Sequence, residues 1–153
     1  VQSVEVYNDK LIVIINNDHK IKIFDIDYEG LQLPGIEVDT GNSSPREMVI
    51  VDGKIYFTNW DTKDIKVLNL FTYQIENSVS VSGLPEDIIS DGTSLWVTVN
   101  MNMDWSDGNK VLKIDTDTNS IEEYVVGLGP KNLVLHNGEI YISGLHNMMV
   151  FKL

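Results

Sequence analysis

The sequence predicts an all-β protein, a β-propeller of four-stranded antiparallel blades, and three observations carry that expectation. One residue pattern returns after 40 and then 45 residues, measured between Pro45, Pro85 and Pro130. Each copy breaks into short runs of β-branched and aromatic residues punctuated by Asp-Gly or Asn-Gly. Nowhere do apolar residues recur at spacings of three and four over the length of a helix. Several short strands within a repeat of about 40–45 residues are the signature of propeller blades.

The copies can be read directly. Ser44-Pro45-Arg46-Glu47 leads into Asp52-Gly53-Lys54-Ile55-Tyr56-Phe57-Thr58-Asn59. Leu84-Pro85-Glu86-Asp87 leads into Asp91-Gly92 and Leu95-Trp96-Val97-Thr98-Val99-Asn100. Gly129-Pro130-Lys131-Asn132 leads into Asn137-Gly138-Glu139-Ile140-Tyr141-Ile142-Ser143-Gly144. A fainter copy without its proline, Asn8 to Asn17, stands in front.

In the second repeat, 47–51 reads as the innermost strand, closed by Asp52-Gly53, a strong two-residue hairpin signal. The second strand is 55–58, rich in types that fit a pleated surface. The third is 65–70, with Ile65, Val67 and Asn69 on one face. The fourth, 75–81, is more polar, as an outer strand should be, and turns Ile75, Val79 and Val81 toward a neighbouring blade. The same series places strands at 87–90, 95–99, 111–115 and 121–126 in the third repeat. The first repeat supplies 3–7, 10–15, 21–26 and a strand near 36–38. The last supplies 133–135, 140–142 and 148–153, with Met148 and Met149 as packing residues of that final strand.

One propeller segment then spans 1–153, with blades at about 3–43, 44–83, 84–129 and 130–153, the last lacking its outer strand. Some 3.75 blades leave open faces and edges, whereas closed rings hold about four to eight. The expectation is part of a seven- or eight-bladed ring, completed by a missing half of the propeller or by a second copy of the chain. A stop after a third strand favours the missing half.

Composition narrows the function classes. The 153 residues carry 23 acids against 11 bases, a net charge of −12, which repels phosphate backbones and anionic lipid surfaces. Nucleic acid is therefore not an expected partner, and no apolar run approaches the ~18 residues of a membrane span. With no cysteine, disulfides and thiolate chemistry are excluded. The chain opens on Val1, so the absence of a targeting segment says nothing about its compartment.

Ile55-Tyr56-Phe57-Thr58-Asn59, followed by Ile65-Lys66-Val67-Leu68-Asn69 and Thr72, resembles the YVTN repeat of YncE-like propellers. That repeat joins a Tyr-Val-Thr-Asn strand to an Ile-x-Val-Ile-Asp strand and a Thr-x-Thr turn. Leu95 to Asn100 and Lys113 to Thr118 look like the next copy. The likeness covers residues 44–153 well and 3–29 loosely. It departs at Ser143-Gly144, where the Asn is missing, and in the first repeat, which lacks the Tyr and Thr. The resemblance implies a typically seven-bladed ring in a periplasmic, cell-surface or secreted bacterial or archaeal protein. It speaks to fold more than function, because the Tyr, Thr and Asn build the blade.

Two groups of residues are candidates for a site. Fold analogy puts ligands at the mouth of the channel, where Arg46, Glu47, Glu86, Asp87, Lys131 and Asn132 follow the three prolines. On the same face lie the loops 16–20, 59–64, 100–110 and 144–147, of which 100–110 is longer by five residues. Insertions on one face of a repeat protein often carry its specific function. That loop offers Met103, Asp104, Trp105 and Asp107, with Trp60 and His146 from matching loops. Trp105 and Trp60 are expected as exposed anchors. Asp104, Asp107 and Asn109 are hard-oxygen candidates for calcium, at a spacing that is not an EF-hand's. The three histidines fall on two faces, and neither a zinc motif, a nucleophile elbow nor a phosphate loop is present.

The expectation is a non-catalytic extracytoplasmic binding or scaffold module that presents its loop face to a protein, glycan or small ligand, without an obligatory cofactor. An alternative is a lyase or lactonase-type enzyme with a channel-mouth metal, requiring Glu47, Glu86, Asp87 and His146 to converge. A third reading is a structural subunit that assembles through open blade edges.

Overall fold

The computed structural model describes residues 1–146 and 150–153. Every regular element in this range is a β-strand, sixteen in all, grouped in four antiparallel sheets. Blade 1 holds β1 (Ser3–Tyr7), β2 (Lys10–Ile15), β3 (Lys20–Asp27), a two-residue β4 (Gly30–Leu31) and β5 (Ile36–Asp39). Blade 2 holds β6 (Pro45–Val51), β7 (Lys54–Asn59), β8 (Asp64–Asn69) and β9 (Gln74–Ser80). Blade 3 holds β10 (Leu84–Ser90), β11 (Ser94–Met101), β12 (Asp107–Asp115) and β13 (Ile121–Val125). Blade 4 holds β14 (Pro130–His136), β15 (Glu139–Gly144) and β16 (Val150–Lys152). The expected packing of Met148 and Met149 lies outside the described residues.

Turn chemistry sets the registers. Asp52 and Gly53 both take left-handed backbone, φ 48° and 75°, as do Asn137 and Gly138, φ 51° and 79°. Both pairs are two-residue hairpin loops whose twist matches the strands they join. Asp91-Gly92 is different. There the loop is longer, pairing Ser90 with Leu95, and Asp91 holds it together. Its Oδ1 accepts from the Thr93 and Ser94 amides at 2.9 and 2.8 Å, and its Oδ2 from the Trp96 indole at 2.8 Å. Burial works against the charge, but these donors outweigh it and lower the Asp91 pKa from 3.8 to about 2. A depressed carboxylate contributes stability that is complete above its unfolded value and lost as pH falls through the folded one. Asp91 is solvent-exposed, so its share is about 1 kcal/mol after allowing for screening. Urea unfolding from pH 5 to pH 2 is expected to show that loss, and Asp91→Asn to flatten it.

The core lies between blades. Ile12, Ile14, Ile21 and Ile23 of blade 1 pack against Met48, Ile55, Phe57 and Leu68 of blade 2. Ile65, with Tyr56 and Val79, meets Ile88, Leu95 and Val97 of blade 3. Trp96 and Val111 meet Leu133, Ile140 and Ile142 of blade 4. Period-two alternation explains this, since Ile55 and Phe57 look back to blade 1 while Tyr56 looks forward. The third strand was expected to bury one face, yet Leu68 is as buried as Ile65. A blade flanked on both sides needs apolar residues on both faces. The outer strand β9 is mostly exposed, and of its expected contacts Ile75 lies open, while Val79 and Val81 pack on blade 3.

Candidate functional site

The innermost strands start earlier than the sequence suggested, at Pro45, Leu84 and Pro130. Each carries a register break, between Pro45 and Met48, Pro85 and Ile88, and Pro130 and Leu133. Such bulges re-aim side chains, and they fall on the six residues chosen from the sequence. The amides of Glu47, Asp87 and Asn132 donate instead to hydroxyls of the second strand, Thr58 at 3.1 Å, Thr98 at 2.9 Å and Ser143 at 3.2 Å. Thr58 in turn donates to the Glu86 carbonyl at 2.7 Å and Thr98 to the Lys131 carbonyl at 3.2 Å. The repeated hydroxyl is thus a relay from one blade to the next.

Four of the bulged side chains form one chain of contacts with Gln2. Gln2 Nε2 donates to Glu47 at 3.1 Å, and Arg46 Nη1 donates to Gln2 Oε1 at 3.3 Å. The Arg46 guanidinium holds Glu86 bidentately, Nε to Oε2 at 3.0 Å and Nη2 to Oε1 at 2.9 Å. Lys131 binds the same Oε1 from blade 4. Glu86 is 1% exposed. Burial opposes its charge, but the hydrogen bonds from Arg46 and Lys131 prevail and hold the carboxyl below the usual range. Asp87 behaves oppositely: burial pushes it up despite amides donated by Leu133, at 2.6 Å to Oδ2, and Ile88. Glu47 and Glu86 lie near enough to push it the same way. Asn132 is exposed and accepts from Ser143 at 3.4 Å.

From Arg46 the contacts run outward to the loop rim. The guanidinium carbon stands 4.2 Å from the Trp60 ring centroid, and Trp60 meets Trp105 edge-on, centroids 6.2 Å apart. Trp105 is 66% exposed. It sits at φ 67°, a conformation a bulky side chain rarely adopts. A small hydrogen-bonded turn fixes it there. The Trp105 amide donates to the Asn102 carbonyl at 3.1 Å, and Asp104 Oδ1 accepts from the Ser106 hydroxyl at 2.6 Å. Asn102 Nδ2 donates to the Asp107 carbonyl at 2.9 Å. Further along, His146 Nε2 lies 3.0 Å from Asp107 Oδ1, joining the rims of blades 3 and 4. Met103, 53% exposed, completes the apolar part of the rim.

Several expectations change. The predicted loop over 100–110 is mostly strand, because β11 runs to Met101 and β12 starts at Asp107, leaving five loop residues. Gly108 makes this possible, since a Cβ there would collide with the Val99 carbonyl oxygen. The calcium candidates are thereby divided. Asp104 caps its own turn, Asp107 faces His146, and Asn109 lies in β12 with its carbonyl accepting from the Val126 amide. Among the described residues, no three His, Cys, Asp or Glu side chains group as a metal shell. Trp60 is half-buried rather than an exposed anchor, because Arg46 and Trp105 cover it, and its indole nitrogen is buried without a partner. Of the four residues named for an enzyme, Glu47, Glu86 and Asp87 are neighbours, and His146 pairs with Asp107.

Sequence matching also misaligned the repeat asparagines. Register equates Phe57 with Val97, and hence Asn100 with Trp60 rather than with Asn59. Asn16 and Asn100 each brace the next blade, donating to the Pro45 carbonyl at 2.9 Å and the Pro130 carbonyl at 3.2 Å. Blade 2 has Trp60 at that place, so the aromatic rim replaces one structural brace.

No family model matches the chain, and no curated protein matches it. Solved structures do. Hydrazine synthase of Kuenenia stuttgartiensis superposes at a TM-score of 0.75 and 17% identity, over 91% of this chain and 40% of that one. A Bacteroides caccae protein of unknown function gives 0.68 at 19% identity, over 92% of this chain and 54% of that one. Glutaminyl cyclase of Myxococcus xanthus gives 0.64 at 13% identity, over 94% of this chain and 60% of that one. The chain thus spans less than two thirds of each. Likeness at this identity establishes the fold, a β-propeller module.

Proposed function

We propose that this module is an extracytoplasmic, non-catalytic binding unit of the YVTN/YncE-like kind, and that its ligand docks on the rim at Trp105. The observation that carries the reading is an exposed tryptophan held in place. Trp105 keeps 66% of its surface open while its turn is tied by hydrogen bonds and its ring edge rests on Trp60. A preorganised aromatic side chain offers large contact area at low entropic cost, which suits a protein surface, a sugar face or a planar small ligand. Asp104 in the same turn, and Asp107 with its partner His146, supply polar groups on that rim. The mouth residues support a scaffold role, because Glu86 and Asp87 are engaged in tying blade 3 to its neighbours.

Glycan and peptide arrays probed with the wild-type chain and with Trp105→Ala test this. The substitution is expected to weaken captured ligands by about 2 kcal/mol, roughly thirtyfold, without lowering the thermal midpoint. Equal capture by both proteins would sink the proposal.

A further inference from the structure

We infer that the free edge of β5, with the cleft beside it, docks an extended segment of a partner protein in which basic and apolar residues alternate. Within its sheet β5 pairs on one side only, with β3. The four residue pairs between them run without a register break. The opposite edge is therefore a continuous row of backbone N–H and C=O groups, the template on which a further strand forms. The outer strand of blade 2 offers no such row, because its pairing with β8 shifts between Val67 and Leu68.

That shift also builds the cleft. Val79 pairs with Ile65, and both belong to the core shared with blade 3. An unbroken strand would turn Ile75 the same way. The extra residue at the shift instead sets Ile75 opposite Leu68, which belongs to the core shared with blade 1. Ile75 thereby comes to the side of Val38, a member of that same core, and of Ile36, two positions before it on β5. Between the strands lies a cleft of about 510 Å³, lined by residues 36–39 and 73–75. Its apolar walls are open to solvent, Ile36 at 37% and Ile75 at 36% exposed, while Tyr73 packs on the core. Blades 1 and 2 already pack together and the cleft opens between their outer strands, so blades added to a ring do not cover it.

The composition of the guest follows from the strand already paired. β5 alternates Ile36, Glu37, Val38 and Asp39. Against it β3 sets Ile23, Lys22, Ile21 and Lys20, an isoleucine opposite each apolar residue and a lysine opposite each acid. Both lysines close on Glu37, at 2.8 and 2.6 Å. Asp39 stays exposed, its Oδ1 accepting from the Gly41 amide at 2.7 Å. A strand on the free edge meets the same alternation. Its apolar residues enter the cleft beside Ile75, and its basic residues fall on the side of Asp39 and Glu37. An acidic segment is repelled by these carboxylates and by the net charge of −12.

Fluorescence anisotropy with a labelled peptide that alternates lysine and isoleucine over about six residues is the test. Saturable binding is expected. A glutamate–isoleucine peptide is expected to fail on charge, and a lysine–isoleucine peptide N-methylated along its backbone to fail because it cannot donate to the edge. Ile75→Asn removes an apolar wall, and Asp39→Asn removes the charge while keeping the acceptor for Gly41. Both positions are exposed, so both variants are compatible with a folded chain, and each is expected to weaken the peptide about tenfold. No binding, binding indifferent to both substitutions, or equal binding of either control peptide overturns the inference. So does a wild-type dimer that Ile75→Asn dissociates, which would give the edge to a second copy.

Discussion

Glu86→Ala is expected to destabilise the fold by about 3–5 kcal/mol, because it leaves two cations around a vacated buried carboxylate site. Glu86 is 1% exposed and is the one acid shared by Arg46 of blade 2 and Lys131 of blade 4. Its own strand belongs to blade 3, so a single side chain ties three blades. For a domain of this size, such a loss lowers the thermal midpoint by roughly 6–20 °C. Glu86→Gln keeps the shape and loses the charge, and a smaller loss is expected from it. Circular dichroism melts of both variants at neutral pH measure the effect. The wild type's Glu86 contribution is complete above the usual carboxylate range and is lost as pH falls through its lowered value. Asp87 runs the other way: burial raises its pKa, so protonating it in acid favours the folded state. A melt indifferent to Glu86→Ala would show that the bridge contributes nothing to holding the blades.

Phe57→Ala is expected to cost about 3–5 kcal/mol, the range for a fully buried aromatic replaced in a packed core. Phe57 has no exposed surface and lies among the isoleucines of blade 1 and Met48 and Leu68 of its own blade. The cavity opens between two sheets rather than within one. Blade 1 should therefore loosen first, and hydrogen exchange in β2 and β3 should rise before that in β11 and β12. Uniform acceleration across all four blades would contradict a core divided among separate interfaces. Urea unfolding with Phe57→Leu as a milder control sets the scale.

The rim at Trp105 needs a different measure, because its residues add little to stability. Trp105 and Met103 are exposed, and the turn that carries them closes on itself. Binding, not melting, is the observable there. The two kinds of site meet at Arg46, which bonds Glu86 on one side and covers Trp60 on the other. A substitution at Arg46 would therefore mix a fold effect with a rim effect, which makes Glu86 and Trp105 the cleaner positions.

Much of this was legible in the residues. A period near 40, hairpin pairs such as Asp52-Gly53, and alternating apolar positions depend on local backbone geometry, and they placed fifteen of the sixteen strands. Only the short β4 went unseen, since two residues leave no pattern to read. That Arg46, Glu47, Glu86, Asp87, Lys131 and Asn132 hold equivalent positions was legible too, because a register break follows the proline in each of these repeats. What each one does was not. Glu86 and Asp87 are adjacent acids of similar appearance, yet burial prevails in one and two cations in the other.

Local pattern by itself determined the blade, because strand pairing within a hairpin is fixed by neighbours a few residues apart. Only the tertiary structure decided how blades are joined. The Thr58 relay spans 28 residues, the Arg46 bridge 40 and the Lys131 bridge 45. Contacts at that separation depend on how one sheet packs against the next, and on which strand position a bulge has shifted. That is why Trp60 was read as a free anchor and Asn59 as the partner of Asn100, and why both readings changed once the sheets were stacked.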